Sequence, residues 1–182
     1  LLGTGTSQGV PVVGCHCATC QSQDPRDKRL RTAAFVEVGD VRLLLDAGPD
    51  LRQQLLRQEI TRVDAVLVTH EHKDHIGGLD DLRPIYFRQE APIPIYGLPR
   101  VLHVIRKDYD YAFKANPYPG APGFQLIPVR NEPFSIYGVE IVPIHVRHLT
   151  LPILGYRIGK LAYITDASFI AESELRKLEG LD

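Results

Sequence analysis

Residues 69–75 hold the highest density of metal-binding side chains in the chain, with three histidines and one aspartate in six consecutive positions. The pattern His-x-His-x-Asp-His directly follows residues 63–68, an apolar run typical of a buried β-strand. A loop at the end of a core strand is where α/β folds place functional side chains. Neutral imidazole is a common nitrogen ligand and Asp adds a hard oxygen. The spacing therefore predicts a metal site rather than a solvated polar loop.

Further acidic and imidazole side chains stand after other apolar stretches that predict strands, namely Asp46, His145, His148 and Asp166. A single Asp after a strand is more often a turn residue or a helix cap than a ligand. A polynuclear site, however, must take its ligands from separate elements. If these strand ends meet at one edge of a sheet, a metal site is favoured over isolated turns.

Cys15, Cys17 and Cys20 form a second dense cluster, with the spacing Cys-x-Cys-x-x-Cys. In a protein without a disulfide framework this pattern predicts thiolate ligands of a structural zinc. The alternative is three buried thiols that only fill space. Tetrahedral zinc takes a fourth ligand, and His16 is a poor one because it lies between two of the cysteines and would strain the loop.

Length and composition indicate the kind of protein that carries these clusters. The chain has 182 residues, of which 44% are hydrophobic and 24% charged, as in one globular domain with a hydrophobic core. We predict a single domain over residues 1–182 that is truncated at its C-terminus, because the sequence has no Met and stops just after a charged helix-like stretch. The net charge of −1 argues against a nucleic-acid surface. No apolar run approaches the roughly 18 residues of a membrane span, and a cytoplasmic location is expected.

The elements that must position the clusters alternate between strands and helices. Apolar runs predict strands at residues 33–38, 41–45, 63–68, 92–96, 134–142, 155–158 and 161–165, with turns at Gly39-Asp40, Gly138 and Gly159-Lys160. Helices are predicted at residues 50–58, 100–108 and 171–178, the first with Asp50 as N-cap and Leu51, Leu55 and Leu56 as its apolar face. Paired strands followed by helices predict an α/β fold with mixed sheets and helices outside.

Two segments leave alternatives open. Residues 109–123 predict a long loop whose side chains either cap a pocket or pack locally, namely Tyr109, Tyr111, Phe113, Lys114 and Tyr118. Gly77-Gly78 either brings backbone N–H groups to a phosphate or forms a simple turn.

In chain order, Asp46, the cluster at residues 70–75, a later His and Asp166 resemble the pattern of the metallo-β-lactamase superfamily. The resemblance implies an α/β fold of the αββα sandwich type, with two mixed sheets, helices outside and a dinuclear metal site at one edge. It assigns His70, His72 and His148 to a first metal, and Asp74 and His75 to a second. Asp166 would bridge the two metals. It also implies the catalytic residues, Asp74, His75 and Asp166, while Asp46 orients the histidine loop from behind the ligands.

His148 is favoured over His145 as the ligand of the third motif. The segment that begins at His148 resembles the family segment in which the ligand precedes a Gly-Tyr pair, here Gly155-Tyr156. His145 is then a strand residue or a substrate contact. The family's last ligand, a C-terminal His, has no counterpart up to Asp182.

The N-terminal part resembles PhnP-type phosphoribosyl 1,2-cyclic phosphate phosphodiesterases. The likeness lies in residues 2–6, residues 10–14 and the cysteine motif, and with the later motifs it spans nearly all of the chain. In that family a C-terminal His completes the zinc site. The resemblance implies two divalent metal ions, Zn or Mn, in the active site and one structural Zn held by Cys15, Cys17 and Cys20.

A dinuclear site with an Asp bridge suits phosphate-ester hydrolysis, because two cations activate water and clamp phosphoryl oxygens. Redox relatives of the fold place a Glu at the second His of the cluster, where this chain has His72. A small cyclic phosphodiester is therefore the expected substrate, with no membrane partner, with nucleic acid disfavoured, and with a homodimer left open.

Three other functions are compared with this one. A tRNA 3′-processing endonuclease carries a long Gly/Pro-rich arm between the third-motif His and the bridging Asp, but only 18 positions separate His148 from Asp166 here. A glyoxalase-type thioesterase has Gly-His-Thr as its third motif, in place of Arg147-His148-Leu149. A zinc-binding interaction module without catalysis would fit the cysteines alone, but not the full histidine and aspartate set.

Overall fold

The computed structural model describes residues 1–182 and contains two sheets that pack face to face. The first sheet has five strands, in the order β1-β2-β3-β4-β5. Their bounds are β1 (Ala34–Val38), β2 (Val41–Leu45), β3 (Ala65–Leu67), β4 (Ile93–Gly97) and β5 (Phe124–Pro128). The β1–β2 pair is antiparallel and the remaining pairs are parallel, so this sheet is mixed, as predicted.

The second sheet is antiparallel in all of its pairings, which corrects the prediction of two mixed sheets. Its strands are β6 (Phe134–Ile136), β7 (Val139–His148), β8 (Leu151–Ile158), β9 (Leu161–Tyr163) and β10 (Phe169–Ile170). The order is β10-β7-β8-β9, with β6 also paired to β7. Two-residue turns join β6 to β7, β7 to β8 and β8 to β9, and such short turns can connect only antiparallel neighbours.

Helices are short and lie outside the sheets. They are α1 (Ala18–Gln21), α2 (Leu51–Arg57), α3 (Lys73–Ile76), α4 (Arg83–Gln89), α5 (Pro99–Asp108) and α6 (Glu172–Leu175), with 3₁₀ turns at Pro25–Asp27, Leu79–Leu82, Asp110–Phe113 and Arg176–Leu178. The predicted helix at residues 171–178 is therefore divided into α6 and a 3₁₀ turn. None of these helices combines the length and the apolar character that a membrane-spanning helix needs.

The alternation of side chains along the strands explains the layers. Leu43 and Leu45 of β2 point into the core between the two sheets, where they meet Leu154 and Tyr156 of β8. Leu44, between them in sequence, points to the opposite face and packs under the helices. Successive strand residues face opposite sides of a sheet, so a run of buried leucines implies that both faces are covered.

The second sheet has a cover of its own. Ile144, Val146 and Ile153 form a small cluster on its outer face, against which Ile170 and Leu178 pack. Together with the helices over the first sheet, this completes the αββα arrangement that the family resemblance implied.

The start of α2 differs from the prediction in two ways. Asp50 precedes the helix, but its side chain makes no capping hydrogen bond and pairs with Arg31 at 2.7 Å. Leu51 and Leu55 are buried, whereas Leu56 is 62% exposed. The charged partner explains the first difference, because an ion pair to Arg31 holds the carboxylate away from the helix end.

Candidate metal centre

The histidine loop begins where β3 ends, and its first and last histidines are buried. His70 is fully buried and His75, on α3, is 1% exposed. Nε2 of His70 lies 3.0 Å from Nδ1 of His72. Because β3 is a central strand of the first sheet, the loop starts from a fixed point of the core.

The second sheet and the loop after it bring two more candidate ligands to the same place. His148 is the last residue of β7, and Asp166 follows β9. The ring of His148 lies 5.7 Å from that of His70 and 5.3 Å from that of His72, measured between centroids. One potential ligand atom each from His70, His72, His148 and Asp166 lies within 4.8 Å of the others, so this group could hold one metal ion.

A second group shares Asp166 with the first. Ligand atoms of Asp74, His75 and Asp166 also lie within 4.8 Å of one another. Oδ2 of Asp166 is 3.1 Å from Nε2 of His75 and 3.5 Å from Nε2 of His70. One carboxylate oxygen thus stands between the two groups, which is the position of a bridging ligand.

Asp46 is fully buried behind the candidate ligands and accepts hydrogen bonds from the elements that carry them. Its Oδ2 accepts from Nδ1 of His75 at 2.8 Å and from the hydroxyl of Tyr163 at 3.2 Å. Its Oδ1 accepts from the backbone N–H of Thr69 at 2.8 Å. Because Nδ1 of His75 is engaged by Asp46, Nε2 of the same ring is left facing Asp74 and Asp166. This is the orienting contact expected of a partner behind a metal ligand.

The charges around the site favour a cation. Burial acts to lower the pKa of His75, but the carboxylates of Asp46, Asp166 and Asp74 outweigh it and raise the pKa to about 12. A proton on His75 therefore neutralises part of a cluster of three carboxylates. Burial, aided by the charge on His75, lowers the pKa of His70 to about 4 and keeps this imidazole neutral, as a metal ligand must be. The hydrogen bond from His75 lowers the pKa of Asp166 to about 2.

Helix α3 is only four residues long and is positioned by its surroundings. A Cβ on Gly48 would lie 2.0 Å from the carbonyl oxygen of Asp74, and a Cβ on Gly78 would lie 2.0 Å from that of Gly48. The two backbones can approach so closely only because both positions are glycine. The N–H groups of Gly77 and Gly78 donate to carbonyls of Lys73 and Ala47, so they form a turn and are not free for a phosphate.

Polar contacts between the two sheets align the two halves of the centre. The N–H of Leu154 donates to the carbonyl of Thr69 at 3.0 Å, and the hydroxyl of Tyr156 donates to that of Val68 at 2.7 Å. Arg100, at the start of α5, pairs with Glu71 of the histidine loop at 3.2 Å and donates to the carbonyl of Pro152 on β8. Sequence reasoning named Tyr156 only as part of the Gly-Tyr pair and did not single out Leu154 or Arg100, since a lone Leu or Arg carries no spacing signal.

The remaining candidates lie elsewhere. His145 is not in either ligand group; it is a strand residue whose N–H donates to Glu174 at 2.7 Å. The aromatic loop packs locally. Tyr109 is buried and donates to the carbonyl of Ile76 at 2.7 Å, Tyr111 donates to Asp80, and Phe113 packs against the core. These contacts favour the packing alternative over a cap.

The three cysteines are brought together and form no disulfide. Their Sγ atoms lie within 4.8 Å of one another, and the N–H of Val12 donates to Sγ of Cys20 at 3.4 Å. Hydrogen bonding to the Cys20 backbone N–H, and then to Cys15, lowers the pKa of the exposed Cys17 thiol. Three convergent thiols of this kind could supply three of the four ligands of a tetrahedral zinc ion.

Comparison of the sequence with known proteins identifies the family of this chain. The sequence pattern of a beta-lactamase superfamily domain matches residues 41–182. The chain therefore belongs to the beta-lactamase superfamily, and its two-sheet sandwich is of the metallo-β-lactamase type.

Within that class, the chain is similar to a diphosphatase from the PhnP family. The two are 38% identical, with a TM-score of 0.91 over 100% of this chain and 70% of that one. The Zn²⁺-bound PqqB of Methylobacterium extorquens is 26% identical, with a TM-score of 0.74 over 100% of this chain and 69% of that one. The likeness to the PhnP family that the cysteine motif predicted is confirmed.

An octanoyltransferase from Porphyromonas gingivalis is 47% identical over 99% of this chain. The match covers only 37% of that protein, so the chain corresponds to about a third of its length.

Proposed function

We propose that this protein is a dinuclear metal-dependent phosphodiesterase that opens a small cyclic phosphate ester on a ribose, of the phosphoribosyl 1,2-cyclic phosphate type. The observation that carries the proposal is the shared position of Asp166 between two groups of ligand atoms. The similarity to a PhnP-family diphosphatase supports phosphorus–oxygen bond cleavage as the chemistry.

The donor set fits two divalent ions. His70, His72 and His148 would hold one, Asp74 and His75 the other, and Asp166 both. Imidazole and carboxylate donors suit Zn and Mn alike. When bound, two such ions supply Lewis-acid activation of phosphoryl oxygens and lower the pKa of water.

The residues of the chain have their own tasks in this reaction. Asp46 holds the ring of His75 so that Nε2 faces the centre. His70 stays neutral because it is buried. The contacts of Leu154 and Tyr156 with the histidine loop fix the position of the second sheet, and with it His148 and Asp166. Fixed ligand positions matter because groups that are already in place need not reorganise as charge develops in the transition state.

The segment between His148 and Asp166 supports a small substrate. It consists of β8, the turn at Gly159-Lys160 and β9, which are paired strands of the second sheet and not an extended arm. With a net charge of −1, the chain has little electrostatic attraction for a polynucleotide.

We also propose that Cys15, Cys17 and Cys20 bind a structural zinc. Their convergence without a disulfide supports this, and the site would stabilise the N-terminal loop rather than take part in hydrolysis.

A diphosphate is the second candidate substrate, because the PhnP-family neighbour is named a diphosphatase. Both substrates would present phosphoryl oxygens to the same pair of cations. They differ in the group that leaves the phosphorus. An acyl thioester is the third, suggested by the name of the octanoyltransferase relative, but the chain spans only 37% of that protein.

The experiment that separates these candidates is a comparison of kcat/KM for the full-length, metal-loaded protein. The panel is a ribose cyclic phosphate, a nucleoside diphosphate compound, an octanoyl thioester and a pre-tRNA. We expect the cyclic phosphate to give the highest value. A preference for the diphosphate would replace the substrate with the second candidate, whereas a preference for the thioester or the pre-tRNA would overturn the proposal.

A further inference from the structure

Thr69 lies between the buried carboxylate of Asp46 and the ring of His70. Its hydroxyl oxygen is 3.0 Å from Oδ2 of Asp46 and 3.0 Å from Nδ1 of His70. All three residues are fully buried. The hydroxyl is the only hydrogen-bond partner of Nδ1 of His70.

The direction of each hydrogen follows from what the groups can do. A threonine hydroxyl has one hydrogen and can also accept, whereas an ionised carboxylate only accepts. The hydroxyl hydrogen therefore points to Asp46, which leaves a lone pair of the same oxygen for an N–H of His70. His70 must then carry its hydrogen on Nδ1. Its Nε2 keeps a bare lone pair, directed towards Nδ1 of His72 and Oδ2 of Asp166.

We propose that Thr69 is a positioning residue that fixes the Nδ1–H tautomer of His70. Asp46 thereby orients ligands of both metal ions, His75 by direct contact and His70 through the Thr69 hydroxyl. The inference rests on the part of the proposed function that makes His70 a metal ligand, and it needs no particular substrate.

Loss of the hydroxyl should reverse the tautomer. In Thr69→Val a methyl group of similar size faces Nδ1 of His70, so a hydrogen there would be buried without an acceptor. The ring then gains by placing its hydrogen on Nε2, where Asp166 can accept it. In that form Nε2 has no lone pair for a cation. Partners that orient metal-binding histidines typically change metal affinity about 10–100-fold, and we expect a loss of this size.

The test is a Zn²⁺ titration of the metal-free, full-length protein against a chromophoric chelator, without substrate. Thr69→Val should bind the ion of the His70 group about 10–100-fold more weakly. Thr69→Ser keeps the hydroxyl and should restore the affinity. Thr32→Val is the matched control, because it removes a hydroxyl that donates to the carbonyl of Gly5 and does not contact the ligands; its metal affinity should equal that of the wild type.

Long-range ¹H–¹⁵N NMR of the same samples reads the tautomer directly. The wild type at neutral pH should show the hydrogen of His70 on Nδ1, and Thr69→Val should show it on Nε2. Should Thr69→Val not fold, the wild-type spectrum still decides, since a hydrogen on Nε2 would overturn the proposal. Unchanged affinity in Thr69→Val, or an equal loss in Thr69→Ser, would also overturn it. A wild type that binds two ions but hydrolyses no phosphate ester would refute the proposed function alone.

Discussion

Replacement of Asp46 by Asn tests whether this carboxylate holds the two sheets and the histidine loop together. The side chain is fully buried and accepts from four groups, namely the N–H and hydroxyl of Thr69, Nδ1 of His75 and the hydroxyl of Tyr163. Asn has nearly the same shape but keeps one acceptor oxygen and turns an NH₂ group towards these donors. The variant therefore leaves no cavity and changes only charge and hydrogen bonding.

The expected cost follows from that geometry. At least one buried donor loses its acceptor, and the buried contact between His75 and a carboxylate is broken. Removing one partner of a buried charged pair lowers the free energy of unfolding by about 3–5 kcal/mol. This is a large share of the roughly 5–15 kcal/mol by which a typical domain is stable. For a chain of this size this corresponds to a fall in Tm of about 10 °C.

Urea unfolding of the metal-free protein, held in chelator, measures this difference without a contribution from bound metal. Asp50→Asn is the matched control, because Asp50 pairs with Arg31 at 2.7 Å but retains 19% side-chain exposure. We expect the free energy of unfolding of that control to fall by about 1 kcal/mol. A loss of only about 1 kcal/mol in Asp46→Asn, no larger than that of the control, would refute the role given to this carboxylate.

Three further predictions concern the metals. Cys17→Ser should lower the Tm and the zinc content of the protein while activity per fully metallated molecule changes little, and unchanged zinc content by elemental analysis would contradict the ligand role. His75, with its pKa raised to about 12, must release its proton to bind a cation, so metal affinity should rise with pH by about tenfold per unit for one released proton. Calorimetry in two buffers of different ionisation enthalpy counts that proton, and a count of zero would disprove the linkage. Asp166→Ala should lower kcat by on the order of 10³-fold, measured on a ribose cyclic phosphate, and near-wild-type turnover would argue against the bridge.

The sheets could be predicted from the sequence largely because their signals are local. In runs such as residues 41–45, successive side chains point alternately into the two cores on either side of the sheet. Tight turns such as Gly39-Asp40 fix the pairing of the strands that they join. Strand β5 and helix α4 were not predicted, since neither has a clear period or cap. The pairing of β10 with the far end of β7 depends on contacts between distant residues, which no local pattern encodes.

The candidate site shows the same division. His70, His72, Asp74 and His75 are adjacent in sequence, so their grouping follows from the motif alone. From the residues alone the convergence of His148 and Asp166 on them was only a condition, and the family resemblance turned it into an expectation. The reason is that His148 ends β7 and Asp166 follows β9, both strands of the other sheet. The sequence showed Thr69 only as the residue before His70. Its contact with Asp46 could not be predicted, because it depends on how β2 and β3 pair.

The most direct test of the account is to locate the metal ions in crystals of the metal-loaded, full-length protein by anomalous diffraction. We predict two ions about 3.5–4 Å apart, with Asp166 between them. One should contact His70, His72 and His148, and the other should contact Asp74 and His75. A single ion in the whole centre, or ions only at the cysteine cluster, would contradict the dinuclear site.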